Sequence, residues 1–256
     1  MINTDLRPHF TQGASVADIA NGFRLTIPDG DNRRYRVAQL DDYAKSARKD
    51  FPHRPSLSLS LRARASAASL PGTWGFGLWN DPFGLSIGFG GNPLRLPALP
   101  NAVWFFYASE ENYLSFSDPS TSSGQSKPGN GFLAQLFRSP VFPLGRLARV
   151  GMTLPFSRTK ARGLMHEIVE EDGVRLSVGV TEWHAYRFEW SPKRSAFWVD
   201  ETLVLETSVS PRPPLGLVIW IDNQYAAWCP DGKFGFGILE NNEAWLEVKE
   251  IEVKRP

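Results

Sequence analysis

The chain has 256 residues, and 42% of them are hydrophobic, which is enough to bury one large core in a single domain over residues 1–256. The formal net charge is +1 and the Lys and Arg residues are dispersed, which argues against nucleic acid as a partner. The single cysteine, Cys229, excludes an internal disulfide.

The N-terminal segment lacks the pattern of a targeting signal. Residues 1–11 contain Asp5, Arg7 and Pro8 where a signal peptide needs an apolar run. No stretch reaches the roughly 18 uninterrupted apolar residues that a membrane-spanning helix requires. We therefore expect a protein without a transmembrane segment that is cytoplasmic, or secreted if a leader peptide has been removed.

Residues 1–55 show weak periodicity, and we expect them to form an N-terminal extension of edge elements. An edge strand is predicted at residues 22–27, a turn at 29–32 and a short polar helix at 37–49.

From residue 56 the pattern becomes that of an all-β protein. The chain contains 9 Trp, 17 Phe, 22 Gly and 20 Pro with little helical periodicity, a composition typical of strands and turns. Leu57, Leu59 and Leu61 alternate with polar residues, as on a half-buried strand.

Two aromatic segments follow along the chain. In residues 70–84, Trp74 and Phe76 alternate with glycines, which let another group approach closely before a turn at 80–82. Residues 101–118 supply a further aromatic strand or pair of strands. The composition of residues 119–131 is that of a flexible loop.

Residues 132–160 are interpreted as an apolar insertion. Between 132 and 156 the segment has arginines but no acid, and Pro140 and Pro143 interrupt any helix. We expect short helices that pack on the sandwich, with a lid over a site or a membrane-surface patch as alternatives. Beyond this segment, Asp172-Gly173 predicts the turn of a hairpin over residues 164–180.

A three-stranded meander is predicted after residue 183. His184, Tyr186, Phe188 and Trp190 share one strand face, and the chain turns at 191–194 and again at 200–201. We interpret His184 as a hydrogen-bonded core histidine rather than a catalyst. The other histidines, at 9, 53 and 166, are too scattered for a metal site, and we expect no metal and no cofactor.

The meander also carries a family resemblance. WHAYRFEWSPKRSAFWVDETLV, residues 183–204, resembles the W-H-x-Y-x-x-x-W-(S/T)-P stretch of the concanavalin A-like lectin/glucanase superfamily, in particular glycoside hydrolase family 16. GTWGFGLWNDP, residues 72–82, and PPLGLVIWIDNQYAAW, residues 213–228, fit the same family in order. Over residues 56–254 the resemblance implies an all-β, antiparallel jelly-roll β-sandwich, to which we add the short helical insertion.

The catalytic motif of that family is not found where the resemblance places it. The family's retaining mechanism uses a Glu-x-Asp-x-x-Glu or Glu-x-Asp-x-Glu strand, which sets two Glu about 5 Å apart on one face. The corresponding strand here, residues 102–107, reads AVWFFY. Glu167 and Glu171 would share a strand face in the predicted hairpin, but we interpret them as exposed hairpin acids, and Glu110 and Glu111 as turn residues.

The remaining candidate site is an aromatic cleft on the sheet that the resemblance makes ligand-facing. Sugar rings offer C–H faces to indoles and hydroxyls to Asp and Asn side chains. The candidate ligand-binding residues are Trp79, Trp104, Tyr107, Trp220, Asn223 and Trp228, and the candidate catalytic acids are Asp222, Asp81 and Glu110. Each of these aromatic residues also fits a buried core position.

Three functions remain open at this point. The first is a carbohydrate-binding or carbohydrate-acting protein without the retaining chemistry of family 16. The second is an enzyme on the same scaffold, such as a terpenoid cyclase or isomerase, that uses an Asp or Glu acid on a lipophilic small molecule. The third is a non-catalytic interaction module that forms a homo-oligomer through the apolar insertion. The resemblance favours the first by analogy of fold.

Overall fold

The computed structural model describes residues 5–82, 95, 98–117, 128–140 and 158–255. These residues form two seven-stranded antiparallel sheets. The front sheet has the strand order β1 (Arg7–Phe10), β4 (Val37–Asp41), β13 (Gly216–Asp222), β6 (Thr73–Trp79), β7 (Ala102–Ala108), β8 (Gly131–Arg138) and β9 (Glu170–Arg175). The back sheet has the order β12 (Thr202–Thr207), β11 (Arg194–Val199), β10 (His184–Ser191), β5 (Leu57–Ala65), β16 (Ala244–Lys254), β3 (Gly22–Ile27) and β2 (Ser15–Ile19).

Three smaller elements complete the described fold. A separate hairpin pairs β14 (Gln224–Trp228) with β15 (Phe234–Ile238). Helix α1 spans Arg158–Ile168, and a single 3₁₀ turn spans Arg48–Asp50. The all-β jelly-roll sandwich with one short helix is therefore confirmed. None of the described helices is long and apolar enough to cross a membrane.

The two sheets enclose one core, and strand alternation explains why. Along β5, buried and half-buried residues alternate without exception over nine positions, so one face packs and the other remains accessible. Across the core, the ring of Phe105 on β7 lies 5.0 Å from that of Tyr186 on β10 and 5.3 Å from that of Phe197 on β11. Edge-to-face aromatic contacts of this kind lock the sheets together.

The apolar segment begins as β8, a strand of the front sheet that spans Gly131–Arg138. The β8 strand pairs with β7 on one side and β9 on the other, so the expected short helices are wrong here. Its six central residues are all buried, and a strand buried on both faces loses the alternation that would reveal it. Residues 141–157 lie outside the described residues, and α1 begins at residue 158.

The hairpin expected around Asp172-Gly173 is also wrong. Residues 158–168 form helix α1, and both residues of the expected turn lie inside strand β9. Gly173 pairs with Gln135 of β8, and the Cβ of any other residue there would lie 3.2 Å from the carbonyl oxygen of Ala134. The glycine therefore serves close strand packing rather than a turn.

The N-terminal residues contribute more to the sheets than expected. The β3 strand is not an edge strand, because it pairs with both β16 and β2. The predicted polar helix at 37–49 is wrong: its first five residues form β4, which lies between β1 and β13. Only the 3₁₀ turn of that region is helical.

The predicted meander is confirmed as β10, β11 and β12, with turns at Pro192-Lys193 and Asp200-Glu201. His184 differs from its interpretation as a core residue. Its Nδ1 hydrogen-bonds the Asp200 carboxylate and its Nε2 lies 3.2 Å from the carbonyl oxygen of Gly179, but the side chain is 22% exposed. These two contacts connect the start of β10 to the turn between β11 and β12 and to the segment that precedes β10.

Candidate functional site

The candidate site lies on the outer face of the front sheet, which points away from the inter-sheet core. Strand pairing aligns Trp220 with Gly75 and Phe106, and aligns Gly77 with Trp104. A Cβ on Gly75 would lie 2.8 Å from the Trp220 ring, and one on Gly77 would lie 2.5 Å from Trp104 Cβ. The close approach predicted at these glycines is therefore made by the tryptophans of neighbouring strands.

Four rings form a continuous cluster there, which we call the aromatic floor. Trp79, Trp104, Phe106 and Trp220 have centroids 5.0 to 6.1 Å apart, and the planes of Trp79 and Trp220 differ by only 6°. Trp104, Phe106 and Trp220 are buried, whereas Trp79 is half-buried. The nitrogen Nε1 of Trp79 donates to the hydroxyl of Tyr43 at 2.7 Å, which orients the one accessible ring of the floor.

Helix α1 and the segment after β7 cover part of this face. Met165 and Ile168 of α1 pack against the same apolar cluster as the floor. Arg162 is buried and donates to the carbonyl oxygens of Ser115 at 2.9 Å and Trp228 at 2.8 Å. These two bonds connect the helix to the segment after β7 and to the end of β14, and so they fix the helix over the sheet.

Ring contacts continue from the floor to the β14–β15 hairpin, and we call this path the aromatic band. Phe137 lies 6.3 Å from Trp104 and 6.0 Å from Phe116, and Phe116 lies 6.3 Å from Trp228. The band ends at Trp228, Phe234 and Phe236, the last two of which are 38% and 42% exposed. Accessible rings therefore lie at both ends of the band, at Trp79 and on the hairpin.

Asp222 lies next to the aromatic floor and is buried. Its Oδ1 accepts hydrogen bonds from the hydroxyl of Thr73 at 2.8 Å and from the backbone N–H groups of Thr73 and Gln224 at 3.2 Å. The Tyr35 hydroxyl donates to Oδ2 at 3.3 Å, and Trp220 Nε1 donates to the Thr73 oxygen at 3.0 Å. Burial raises the pKa of Asp222 to about 6, against the opposing effect of these hydrogen bonds.

This raised pKa predicts a pH-dependent effect of Asp222→Asn on stability. The unfolded carboxyl has a pKa of about 3.9, so the folded protein binds this proton more tightly. The stability that comes from the tighter binding of this proton by folded Asp222 is fully present below about pH 4 and is lost as the pH rises through about 6. Relative to wild type, Asp222→Asn should gain roughly 3 kcal/mol of unfolding free energy between those limits, measured by urea denaturation from about pH 4 to pH 7.5.

Asp200→Asn is the matched control for that experiment, because its sign is opposite. The hydrogen bond from His184 lowers the pKa of Asp200, so its contribution is present above the unfolded pKa and is lost as the pH falls. The stability difference of Asp200→Asn should therefore become more unfavourable only as the pH rises through the region at and below about pH 4, and it should change little between about pH 5 and pH 7.5. A flat difference for Asp222→Asn across this range would contradict the burial of its charge.

The other two predicted catalytic acids have different surroundings. Asp81 is buried, and its Oδ2 accepts from Arg95 Nη1 at 2.5 Å, so its charge is neutralised within the fold. Glu110 is exposed in the turn after β7, where its carbonyl oxygen accepts from Asn130 at 3.4 Å. The structure does not join Asp81 or Glu110 to the hydrogen bonds around Asp222.

Further carboxylates near this face also have structural partners. Glu171 accepts from the Ser115 hydroxyl at 2.6 Å and from two backbone N–H groups. The expected shared strand face of Glu167 and Glu171 is wrong, because Glu167 belongs to α1 and Glu171 to β9. Within the residues that the structure describes, no group of three or more His, Cys, Asp or Glu residues could hold a metal ion.

Two of the predicted ligand-binding residues do not contact this face. Tyr107 packs in the inter-sheet core, where its ring stacks on Trp74 at 5.4 Å and its hydroxyl accepts from the Leu70 N–H. Asn223 is fully buried, accepts from the Arg36 N–H and donates to the carbonyl oxygens of Arg34 and Leu239. Of the six, Trp79 and Trp228 are accessible from the outside.

Several residues of the site were not identified from the sequence. Thr73 and Tyr35 hold Asp222, and Arg162 fixes α1. The alternation of Phe234 and Phe236 with glycines, in the same pattern as the Trp74 strand, was the signal that could have identified the hairpin. No comparable local pattern marks Tyr35 or Arg162, whose partners are distant in sequence.

Comparison with known proteins gives the fold. A glycoside hydrolase family 16 endo-glucanase from Bacteroides ovatus is similar at a TM-score of 0.52 and 8% identity, over 99% of this chain and 96% of that chain. The chain therefore shares the β-sandwich fold of this endo-glucanase. LamAcat from Zobellia galactanivorans has a TM-score of 0.49 and 13% identity, over 95% of this chain and 80% of that chain. A legume lectin-like domain from Entamoeba histolytica has a TM-score of 0.49 and 10% identity, over 98% of this chain and 90% of that chain. No family model and no curated protein matches the chain.

Proposed function

We propose that this sandwich binds a neutral glycan at the accessible ends of the aromatic band, without the retaining hydrolysis of family 16. The observation that carries the proposal is the pair of accessible aromatic ends, Trp79 at one and the β14–β15 hairpin at the other. Exposed aromatic side chains that flank a buried, rigid cluster are suited to stacking against sugar rings. The similar fold belongs to an endo-glucanase that was determined in complex with a glucan-type ligand, G4G3G-2F-DNP.

The proposal excludes retaining hydrolysis because of strand β7. Its positions on the outer face are Ala102, Trp104, Phe106 and Ala108, and β6 lies beside it with Gly75 and Gly77. A retaining glycosidase needs two carboxyl groups about 5 to 5.5 Å apart on such a strand. Trp104 and Phe106 occupy this face instead, and they pack against Trp220.

The buried floor also bears on the lipophilic-substrate enzyme. Trp104, Phe106 and Trp220 are in contact with each other, so these side chains occupy the surface that a lipophilic ligand would need. This packing does not favour an enzyme that acts on a lipophilic small molecule. Homo-oligomer formation stays a prediction, which sedimentation at several concentrations would check.

The test is calorimetric titration with soluble β-1,3-, β-1,4- and mixed-linkage glucans and an α-glucan as a reference. Trp79→Ala and the pair Phe234→Ala/Phe236→Ala should each weaken binding by roughly tenfold, because each removes an aromatic stacking surface. Trp198→Ala is the matched control, since this half-buried tryptophan lies on the back sheet under Arg187. Its effect should stay below about twofold.

Two outcomes would contradict the proposal. One is the absence of binding to every glucan in the panel by the folded wild-type protein. The other is a release of reducing ends that turns over with the wild-type protein and not with a heat-denatured sample. Circular dichroism of each variant should match wild type, because the accessible rings contribute little to the core.

A further inference from the structure

The outer face of the back sheet has two halves that differ in charge. On one half, around β10, β11, β12 and the end of β16, cations and acids are matched in ion pairs. These pairs join Arg187 and Arg194 to Glu189, Arg194 to Glu206, and Lys254 to Glu252. This half is therefore electrically balanced.

The other half, which we call the basic half, is not balanced. Strand register aligns Arg24 with Glu247 and Arg64 in one row, and Lys249 with Arg62 in the next row on the same face. These two rows therefore contain four cations and one carboxylate. Neighbouring positions on such a face lie roughly 5 to 7 Å apart, close enough for the cations to repel each other.

Two tryptophans and the buried carboxylate hold these cations in place. The Nζ of Lys249 lies 4.4 Å from the centroid of Trp183, and the guanidinium of Arg24 lies 4.7 Å from that of Trp245. Glu247, with a side chain only 5% exposed, pairs with both Arg24 and Arg64 at 2.7 Å. Arg24, Arg64 and Lys249 are therefore ordered before any ligand arrives, which lowers the entropy cost of binding.

The pKa of Glu247 agrees with this arrangement. Burial alone would raise it, but the hydrogen bonds from Arg64 and Arg24 outweigh burial and keep the pKa below its usual value. Glu247 is therefore ionised and neutralises one unit of charge. At the margin of the half, Asp200 accepts from His184 and from the backbone N–H of Ala185, and it also interacts electrostatically with Arg62. With Glu247 and Asp200 both counted, four cations face two carboxylates, so an excess of positive charge remains on this half.

We propose that the basic half binds an anionic polysaccharide, whose carboxylate or sulfate groups pair with Arg62, Lys249 and the accessible edges of Arg24 and Arg64. Charge complementarity carries this proposal: a chain of regularly spaced anions relieves the repulsion among the cations. Arg24 and Arg64 side chains are 42% and 33% exposed, so their remaining donors can reach a ligand. The choice of a saccharide over other polyanions rests on the proposed function.

A membrane surface is a poorer fit for this half. Binding to a membrane surface is strengthened by apolar side chains that insert beside the cations. The large hydrophobic residues that are exposed in the described part of the chain lie outside the two rows: Phe10, Leu164, Leu203, Phe234 and Phe236. The basic half has charges and flat tryptophan rings instead.

The test compares dextran sulfate with dextran of the same length, which differ only in charge, and adds polygalacturonate as the carboxylate form. The double variant Arg62→Gln/Lys249→Gln should lose at least tenfold in affinity for both anionic chains and show a weaker salt dependence than wild type. Arg187→Gln on the balanced half is the matched control. It should change the affinity by less than twofold.

Three results would overturn the proposal. They are the absence of dextran sulfate and polygalacturonate binding at about 50 mM salt, equal losses in the double variant and the control, and tighter binding of a single-stranded oligonucleotide of equal charge. Titration of the double variant with the neutral glucans separates this site from the aromatic band. If the neutral glucans do not bind wild type while the anionic chains do, the proposed function fails and the anionic site stands.

Discussion

Arg95→Met is expected to lower the free energy of unfolding by about 3 to 5 kcal/mol, because it leaves a buried carboxylate without its partner. Arg95 Nη1 lies 2.5 Å from Asp81 Oδ2, and the two side chains are only 5% and 8% exposed. The same guanidinium donates to the carbonyl oxygens of Tyr43, Ala44 and Ser46 at 2.7 to 2.9 Å. Chemical denaturation at neutral pH measures the loss.

Arg138→Met is the matched control for this prediction. Arg138 also pairs with a carboxylate, Glu170 at 3.0 Å, but the two side chains are 37% and 55% exposed. An exposed pair contributes about 1 kcal/mol or less, so the control should be close to wild type. In a double-mutant cycle, the stability loss of the Arg95→Met/Asp81→Asn double variant should be smaller than the sum of the losses of the two single variants. A loss below about 1 kcal/mol for Arg95→Met would contradict the structural role of this pair and restore Asp81 as a candidate acid.

Trp104→Ala is expected to cost about 3 to 5 kcal/mol of stability, because Trp104 is the centre of the aromatic floor. Its ring contacts those of Trp79, Phe106, Phe137 and Trp220. Removing the indole leaves a cavity, and the residue that faces it on β6, Gly77, has no side chain to fill that cavity. Thermal and urea denaturation measure this loss.

Trp79→Ala separates stability from binding in the same cluster. Since Trp79 is half-buried, its removal should cost less than half as much stability as Trp104→Ala, while glucan binding weakens as proposed above. Equal stability losses for the two variants would contradict the assignment of Trp79 as the accessible ring of the floor. If Trp104→Ala is as stable as wild type, the apolar cluster on the outer face of the front sheet does not contribute to stability as expected.

The division between floor and binding surface explains why the aromatic residues alone did not define the site. Trp104 and Tyr107 were both predicted to bind ligand, yet their odd separation along β7 places them on opposite faces, and period-two alternation alone would have separated them. Which of those faces is covered depends on α1 and on Arg162, far along the chain. Of the aromatic candidates, burial therefore left only Trp79 and Trp228 accessible.

The sequence by itself determined the class of fold and the local elements that depend on neighbouring residues. The alternation along β5, the aromatic strand β7 and the turns at Pro192-Lys193 and Asp200-Glu201 all follow from short-range pattern. These elements are predictable because side-chain direction in a strand and backbone conformation in a turn are set within a few residues.

Only the tertiary structure decided which strands are interior and which acids are neutralised. The β8 strand is buried on both faces, so its sequence carries no alternation that distinguishes it from an apolar helix. The partners that define Asp81 and Asp222 come from other segments: Arg95 for the first, and Thr73 and Tyr35 for the second. Burial and pairing depend on contacts between residues far apart in the chain, and local periodicity contains no record of those contacts.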